Sequence, residues 1–211
     1  MLGRIIYSLS YRWNKLNKVC IQGSGNRVDK KMMSGCTIEI FGNNNTIQID
    51  PTSRLTQLKV SVRGNNCSIC IEDHVAIKGG ELWLEDNNTE LIIGARTTIE
   101  SGHLSVTEDH SKLVIGSDCM LANQIEIRTG DSHAIYDEQG VRINHPANVT
   151  IGNHVWLGSR VMVLKGVTIA EGCVIGAGSI VTRSITTAHS IHAGSPLKMY
   201  REMINWTRER K

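Results

Sequence analysis

The sequence predicts an all-β solenoid, and three observations carry that expectation: a six-residue period late in the chain, a twenty-two-residue period earlier, and one polar stretch where both fail. The late period is unbroken. Ile151, Leu157, Val163, Ile169, Ile175 and Val181 lie six apart, each followed four residues on by Val155, Val161, Val167, Cys173, Ser179 and Ile185. The residue right after each aliphatic one is Gly152, Gly158, Leu164, Ala170, Gly176 or Thr182. A helix repeats its apolar residues every three or four positions and a half-buried strand every two, so a strict period of six demands another geometry. One short strand and one corner per hexad satisfy it. Three hexads then close an 18-residue triangular coil, and coils stack as parallel strands about 4.8 Å apart around a column of aliphatic side chains.

The earlier period is longer. Ile49, Ile71, Ile93 and Ile115 are 22 apart, and turn-like clusters beginning at Gly42, Gly64, Asp86 and Glu108 share that spacing. This reads as the same coil with a four-residue corner extension, because Asn43 to Asn45, Asn65, Asn66, Asn87 and Asn88 tolerate left-handed backbone. The predicted catalytic solenoid therefore runs continuously over 21–196. Between Ile127 and the restart at Ile151 the polar stretch 129–148 has no core column and is expected to loop out. Met1 to Leu16 carries Leu2, Ile5, Ile6 and Leu9 interrupted by Arg4, Tyr11 and Arg12, too short and polar to span a bilayer, so 1–20 is read as an N-terminal cap helix. After Pro196 the period stops. Residues 197–211 are read as an amphipathic cap helix that packs through Met199, Met203, Ile204 and Trp206.

Length and composition narrow the function classes. A chain of 211 residues fits one domain with a substantial core. A net charge of +3 and 4% aromatic residues argue against a nucleic-acid platform of basic grooves and stacking rings. The six cysteines, without any recognisable leader, are read as reduced thiols of a cytoplasmic protein, mostly core fillers. Cys67 and Cys70 form a lone C-x-x-C with no second pair, so no metal is expected. The chain has eight histidines. His133 stands out by position, where regular coil gives way to the loop, whereas His145 reads as a loop residue and His154 as a solvated one.

The segment NVTIGNHVWLGSRVMVLKGVTIAEGCVIGAGSIVTRSITTAHSIHAGSPLKMYR, from Asn148 to Arg201, resembles the C-terminal half of the galactoside and maltose O-acetyltransferases, with WLGS, GVTI, VIGAGSIVT and AGSP in the family's order. Upstream, IGSDCMLANQIEIRTGDSHAIYDEQGVRIN is similar to the subgroup that acetylates capsular, lipopolysaccharide and sialic acid sugars. The resemblance implies a left-handed parallel β-helix, acetyl-CoA as acetyl donor, a saccharide acceptor and a homotrimer with active sites between subunits. It makes His133 the catalytic base, with Asp131 either orienting its ring or capping the turn. Trp156 matches a tryptophan lining the acetyl and pantetheine end, and Ser159 and Ala177 match contacts to the pantetheine arm. Thr182 and Arg183 match a Thr-Lys pair near the nucleotide end, and Lys198 and Arg201 match two arginines on coenzyme phosphates. At 198 lysine keeps the charge but loses the planar fork. The family's cleft asparagine has no counterpart near Ser101 to His103.

These residue types suit acyl transfer. A sugar hydroxyl is a weak nucleophile at neutral pH, and an imidazole with a pKa of about 6.5 can take its proton and return it to the departing thiolate. Three other readings stay open within or beside this class. An amine on a nucleotide-linked sugar or the hydroxyl of serine would serve as acceptor for the same chemistry, and a lipid-linked acceptor would bring the basic N-terminus to a membrane surface. A zinc enzyme on the same solenoid would need three spaced histidines, and His103 and His110 do not supply them. A structural or ice-binding solenoid would show a flat threonine ladder and no looped-out histidine.

Overall fold

The computed structural model describes residues 17–29 and 32–210, and these form a parallel β-helix of three flat faces. Face A holds eight strands, starting at Lys18–Gln22 and ending at Ile180–Val181. Face B holds seven, from Arg27–Val28 to Thr168–Ile169, and face C nine, from Met33–Ser34 to Ile191–Ala193 plus a final antiparallel strand, Lys198–Arg201. Successive strands on a face pair in parallel at the sequence spacing of the repeats: Lys59 opposes Glu81 and Glu81 opposes His103, while Met162 opposes Ile180. The period of the sequence is thus the circumference of the coil.

Hydrophobic burial sets that register. Side chains alternate along each strand, so in Leu58–Arg63 the residues Leu58, Val60 and Val62 are buried while Lys59 and Arg63 face out. Their counterparts one coil on, Leu82 and Leu84, stack directly above. All the hexad aliphatics from Ile151 to Val181 join one continuous core. Four cysteines, 36, 67, 119 and 173, fill small slots in it, and burial pushes the Cys119 thiol up to about 11. Where glycine follows the aliphatic residue it answers a close approach between coils: a Cβ on Gly158 would lie 2.7 Å from the Ala177 nitrogen above it.

The extra residues of the longer coils all leave at the corner between faces A and B. There Asn44, Asn66 and Asn88 take positive φ, as their side-chain chemistry allows. Their neighbours Asn43, Asn65 and Asn87 instead build a side-chain ladder, the Asn65 carboxamide oxygen accepting from the Asn43 N–H at 2.9 Å and Asn87 accepting from Asn65 at 3.1 Å. The looped-out insertion leaves from the same corner. Glu126 pairs with Met162, 36 positions on, where the next pair on that face is separated by 18, so one coil's worth of chain is extruded. Its ends differ slightly from the expected 129–148: Thr129 is fully buried and still bonded to Ser105, and Asn148 still accepts from the Lys112 N–H.

Both cap expectations change. The cap helix placed on 1–20 falls largely on residues 1–16, outside the described residues, but Lys18–Gln22 is already a strand paired with Thr37–Phe41, so the solenoid begins three residues before the expected 21. The expected helix over 197–211 is absent among the described residues. Lys198–Arg201 turns back antiparallel onto Ile191–Ala193, and 202–210 follows without a helix. The open edge of the last coil offers backbone partners that outcompete a short helix, and of the apolar residues assigned to its packing face only Trp206 is buried, Met203 being 93% exposed. No helix among the described residues is long and apolar enough to cross a membrane.

Candidate active site

His133 sits in the extruded chain, exposed, just beyond the end of strand Ile125–Arg128. The insertion is an ordered hairpin. Ile143 donates its N–H to the Ile135 carbonyl, Tyr136 and Arg142 form an antiparallel bridge, and the Asp137 carboxylate caps the turn by accepting from Gln139 and Val141. Two ion pairs fasten it to the solenoid. Arg142 meets Glu108 at 2.5 Å on the coil before, and Asp131 meets Lys165 at 2.5 Å on the coil after. Lys165, with help from the Asn144 amide, holds the Asp131 carboxyl below the usual carboxylate range. The Asp131 carboxylate accepts from Lys165 and from the Asn144 amide at the base of the loop. Thr129 begins this corner and Asn144, buried at its far side, closes it.

The residues matched to the coenzyme lie along other edges. Ser159 and Ala177 come together at the corner between faces C and A, where with Asn123, Arg160 and Gly178 they line a cleft of about 330 Å³. Thr182 and Arg183 line a second cavity of about 520 Å³, closed by Pro196, Leu197 and Met199 at the end of the solenoid. Lys198 and Arg201 are exposed on the antiparallel strand beside it. Trp156 faces outward on face C, between Met120 and Val174 of the neighbouring coils. Within one chain, then, the His133 loop at the A/B corner and the Ser159 cleft at the C/A corner occupy different edges of the prism.

Trp156 has a neighbour that the sequence did not suggest. Trp206, buried, packs tilted against it at 5.9 Å and stacks on His154 at 4.1 Å. His154 is correspondingly not the solvated residue expected: its Nδ1 bonds Asp118 at 2.7 Å and its Nε2 the Trp206 carbonyl at 2.9 Å. Burial works to raise the Asp118 carboxyl, but His154 and Arg208 outweigh it and the net shift is downward. Arg208 also reaches Thr98 and the Cys119 carbonyl, so the C-terminal segment straps several coils. Lys165, Asn144, Asn123 and Trp206 were all missed as site neighbours. Coil stacking brings Lys165, Asn123 and Trp206 in from 34 to 52 positions away, where spacing gives no signal, whereas Asn144 lies only 11 residues from His133 and is brought to it by the fold of the hairpin.

Cys67 points into the core and Cys70 outward, so the C-x-x-C pair does not converge. His103 is engaged with Glu126 at 3.2 Å, and no cluster of three metal-ligating side chains occurs among the described residues.

With this geometry in place, comparison with known proteins defines the class. Residues 148–183 match the bacterial transferase hexapeptide (six repeats) model. Two solved structures align over nearly the whole chain: the polySia-specific acetyltransferase NeuO, with TM-score 0.84 and 34% identity over 93% of this chain and 91% of that one, and the polysialic acid O-acetyltransferase OatWY, with 0.86 and 36% over 92% of each. The chain belongs to the hexapeptide-repeat transferase family. Among curated relatives it is similar to a polysialic acid O-acetyltransferase of Neisseria meningitidis, 54% identical over 93 residues, which are 44% of this chain and 43% of that protein. A second, from Escherichia coli O1:K1, is 45% identical over 95 residues, 44% of this chain and 31% of the relative. The matched segments thus span less than half the length of these curated relatives.

Proposed function

We propose that this protein transfers an acetyl group from acetyl-CoA to a hydroxyl of a saccharide, with an acidic surface polysaccharide of the sialic acid type as acceptor and His133 as general base. The observation that carries this reading is the one break in the coil, which presents an exposed imidazole at one edge of a solenoid whose near-full-length relatives are acetyltransferases of polysialic acid. In the reaction the His133 imidazole takes the proton of the acceptor hydroxyl while its oxygen attacks the thioester carbonyl. The tetrahedral intermediate then collapses, the C–S bond breaks, and the same proton passes to the departing thiolate. No acyl-enzyme is formed. Backbone N–H groups at the coil corners beside Trp156 are suited to the developing oxyanion.

A coenzyme arm fits the Ser159 and Ala177 cleft because small residues leave the backbone accessible there, with Thr182, Arg183, Lys198 and Arg201 toward its phosphate end. Since this cleft and the His133 loop lie on different edges of one chain, the reading entails assembly, with the loop of one subunit meeting the cleft of the next in a homotrimer. Outward apolar residues support it: Met120, Trp156, Val174 and Ile191 form a column on face C, and Met162 and Ile180 another on face A, where earlier coils present Lys59, Glu81 and His103. A cytoplasmic location follows from the need for acetyl-CoA. The decisive test is thiol release from acetyl-CoA by wild type and His133→Ala with sialic acid polymers and oligomers. The expected loss is about 10²- to 10⁴-fold in transfer with coenzyme binding retained. Near-wild-type transfer by the variant sinks the base assignment, and release with amines but no sugar sinks the acceptor class.

A further inference from the structure

We propose that Asn144 is the positioning residue of the active-site loop, the side chain that fixes where His133 points. This rests on the reading of His133 as base. Its carboxamide is the one group through which the insertion's two anchors and its histidine meet. The Nδ2 group donates to the His133 carbonyl at 2.8 Å and to the Asp131 carboxylate at 3.0 Å. Oδ1 accepts from the Ile135 N–H at 2.7 Å and from Arg142 Nε at 3.3 Å. Reversing the amide would set its oxygen against a carboxylate and a carbonyl, and its NH₂ against two donors, so the orientation is fixed by chemistry. Asn144 is 8% exposed although its neighbours in the loop, His133, Ala134, Ile143 and His145, are exposed.

The consequence for His133 is geometric. Its carbonyl and the N–H of Ile135 are gripped by the two ends of one planar group, which pins the backbone on both sides of Ala134 while leaving the imidazole free. Asp131 and Arg142 tie the same group to Lys165 on one neighbouring coil and Glu108 on the other. An exposed loop thereby acquires the fixed frame that proton transfer to a positioned base requires, where a misplacement of about 1 Å costs on the order of 10²-fold. No orientation of the ring by Asp131 is needed.

Two substitutions test this. Asn144→Ala removes all four bonds, and Asn144→Asp keeps the size and the acceptor but loses both donors toward Asp131 and the His133 carbonyl. Each is expected to lower kcat by about 10²-fold, with the KM for acetyl-CoA close to wild type and the β-sheet spectrum of the folded protein retained. The discriminating measurement is the double variant: when His133→Ala is already present, Asn144→Ala should reduce the residual transfer no further. A multiplicative loss in that background overturns the proposal, as does full activity of either single variant or an equal loss of coenzyme affinity. An active His133→Ala enzyme would instead remove the base reading beneath it, a result visible without any change at Asn144.

Discussion

Charged groups on the outer faces are paired across coils, and the pairing at His103 makes stability depend on pH. The hydrogen bond to Glu126, joined by the nearby charge of Glu81, outweighs burial and raises the imidazole above its ordinary value. A raised folded-state pKa means that the stabilisation is complete below the unfolded value of about 6.5 and is lost as pH rises through the folded one. Melts of wild type and His103→Gln across this range should therefore differ most on the acidic side and converge at alkaline pH. With 37% of the imidazole side chain in solvent, the difference should not exceed about 1 kcal/mol. A gap that widens toward alkaline pH would contradict the pairing. His133, by contrast, is held through its main chain alone, so its substitution is expected to cost activity and not fold.

At the level of elements, the A/B corner does two jobs with one device. Five times it accommodates extra residues, stitched by a ladder in which Ser24 donates to Asn43, Asn43 to Asn65, Asn65 to Asn87 and Asn87 to Asp109. Then it releases the hairpin that carries His133. Asn65 stands mid-ladder and both donates and accepts, through bonds of 2.8 to 3.1 Å. Asn65→Ala is expected to lower unfolding free energy by about 1–2 kcal/mol, the net worth of the side-chain bonds lost. Urea denaturation followed by circular dichroism checks this, and an unchanged midpoint would mean the ladder is ornamental. The ladder was half legible: runs of asparagine at a fixed period announced corners with left-handed backbone, but which asparagine turns and which bonds its neighbour appears only in the stacked coils. The C-terminal element was not legible at all. Met199, Met203, Ile204 and Trp206 have the spacing of a helix face, and the observed strand and strap win because the last coil leaves an open sheet edge and the His154 ring gives Trp206 a surface to stack on.

For the whole molecule, the solenoid separates two populations of outward side chains. Early coils carry compensated charges, such as Lys59 between Glu39 and Glu81, and late coils carry Met120, Trp156, Val174 and Ile191 in a line. Light scattering on the purified protein should accordingly give about three times the mass of the chain. Charged substitution of Val174, which lies one coil above Trp156, should produce monomers that lack transfer while retaining the β-sheet spectrum. A fully active monomer would refute a site shared between subunits. Sequence by itself determined the solenoid, its circumference, the place where chain is extruded and the histidine it exposes, because each follows from which residues must be buried at a fixed period along the chain. Only the tertiary structure decided what holds that histidine, what covers Trp156 and which edges the site residues occupy. Those depend on contacts that repeat spacing does not encode, some within the hairpin, such as Asn144 with His133, and others between coils, such as Asp131 with Lys165 and His154 with Trp206.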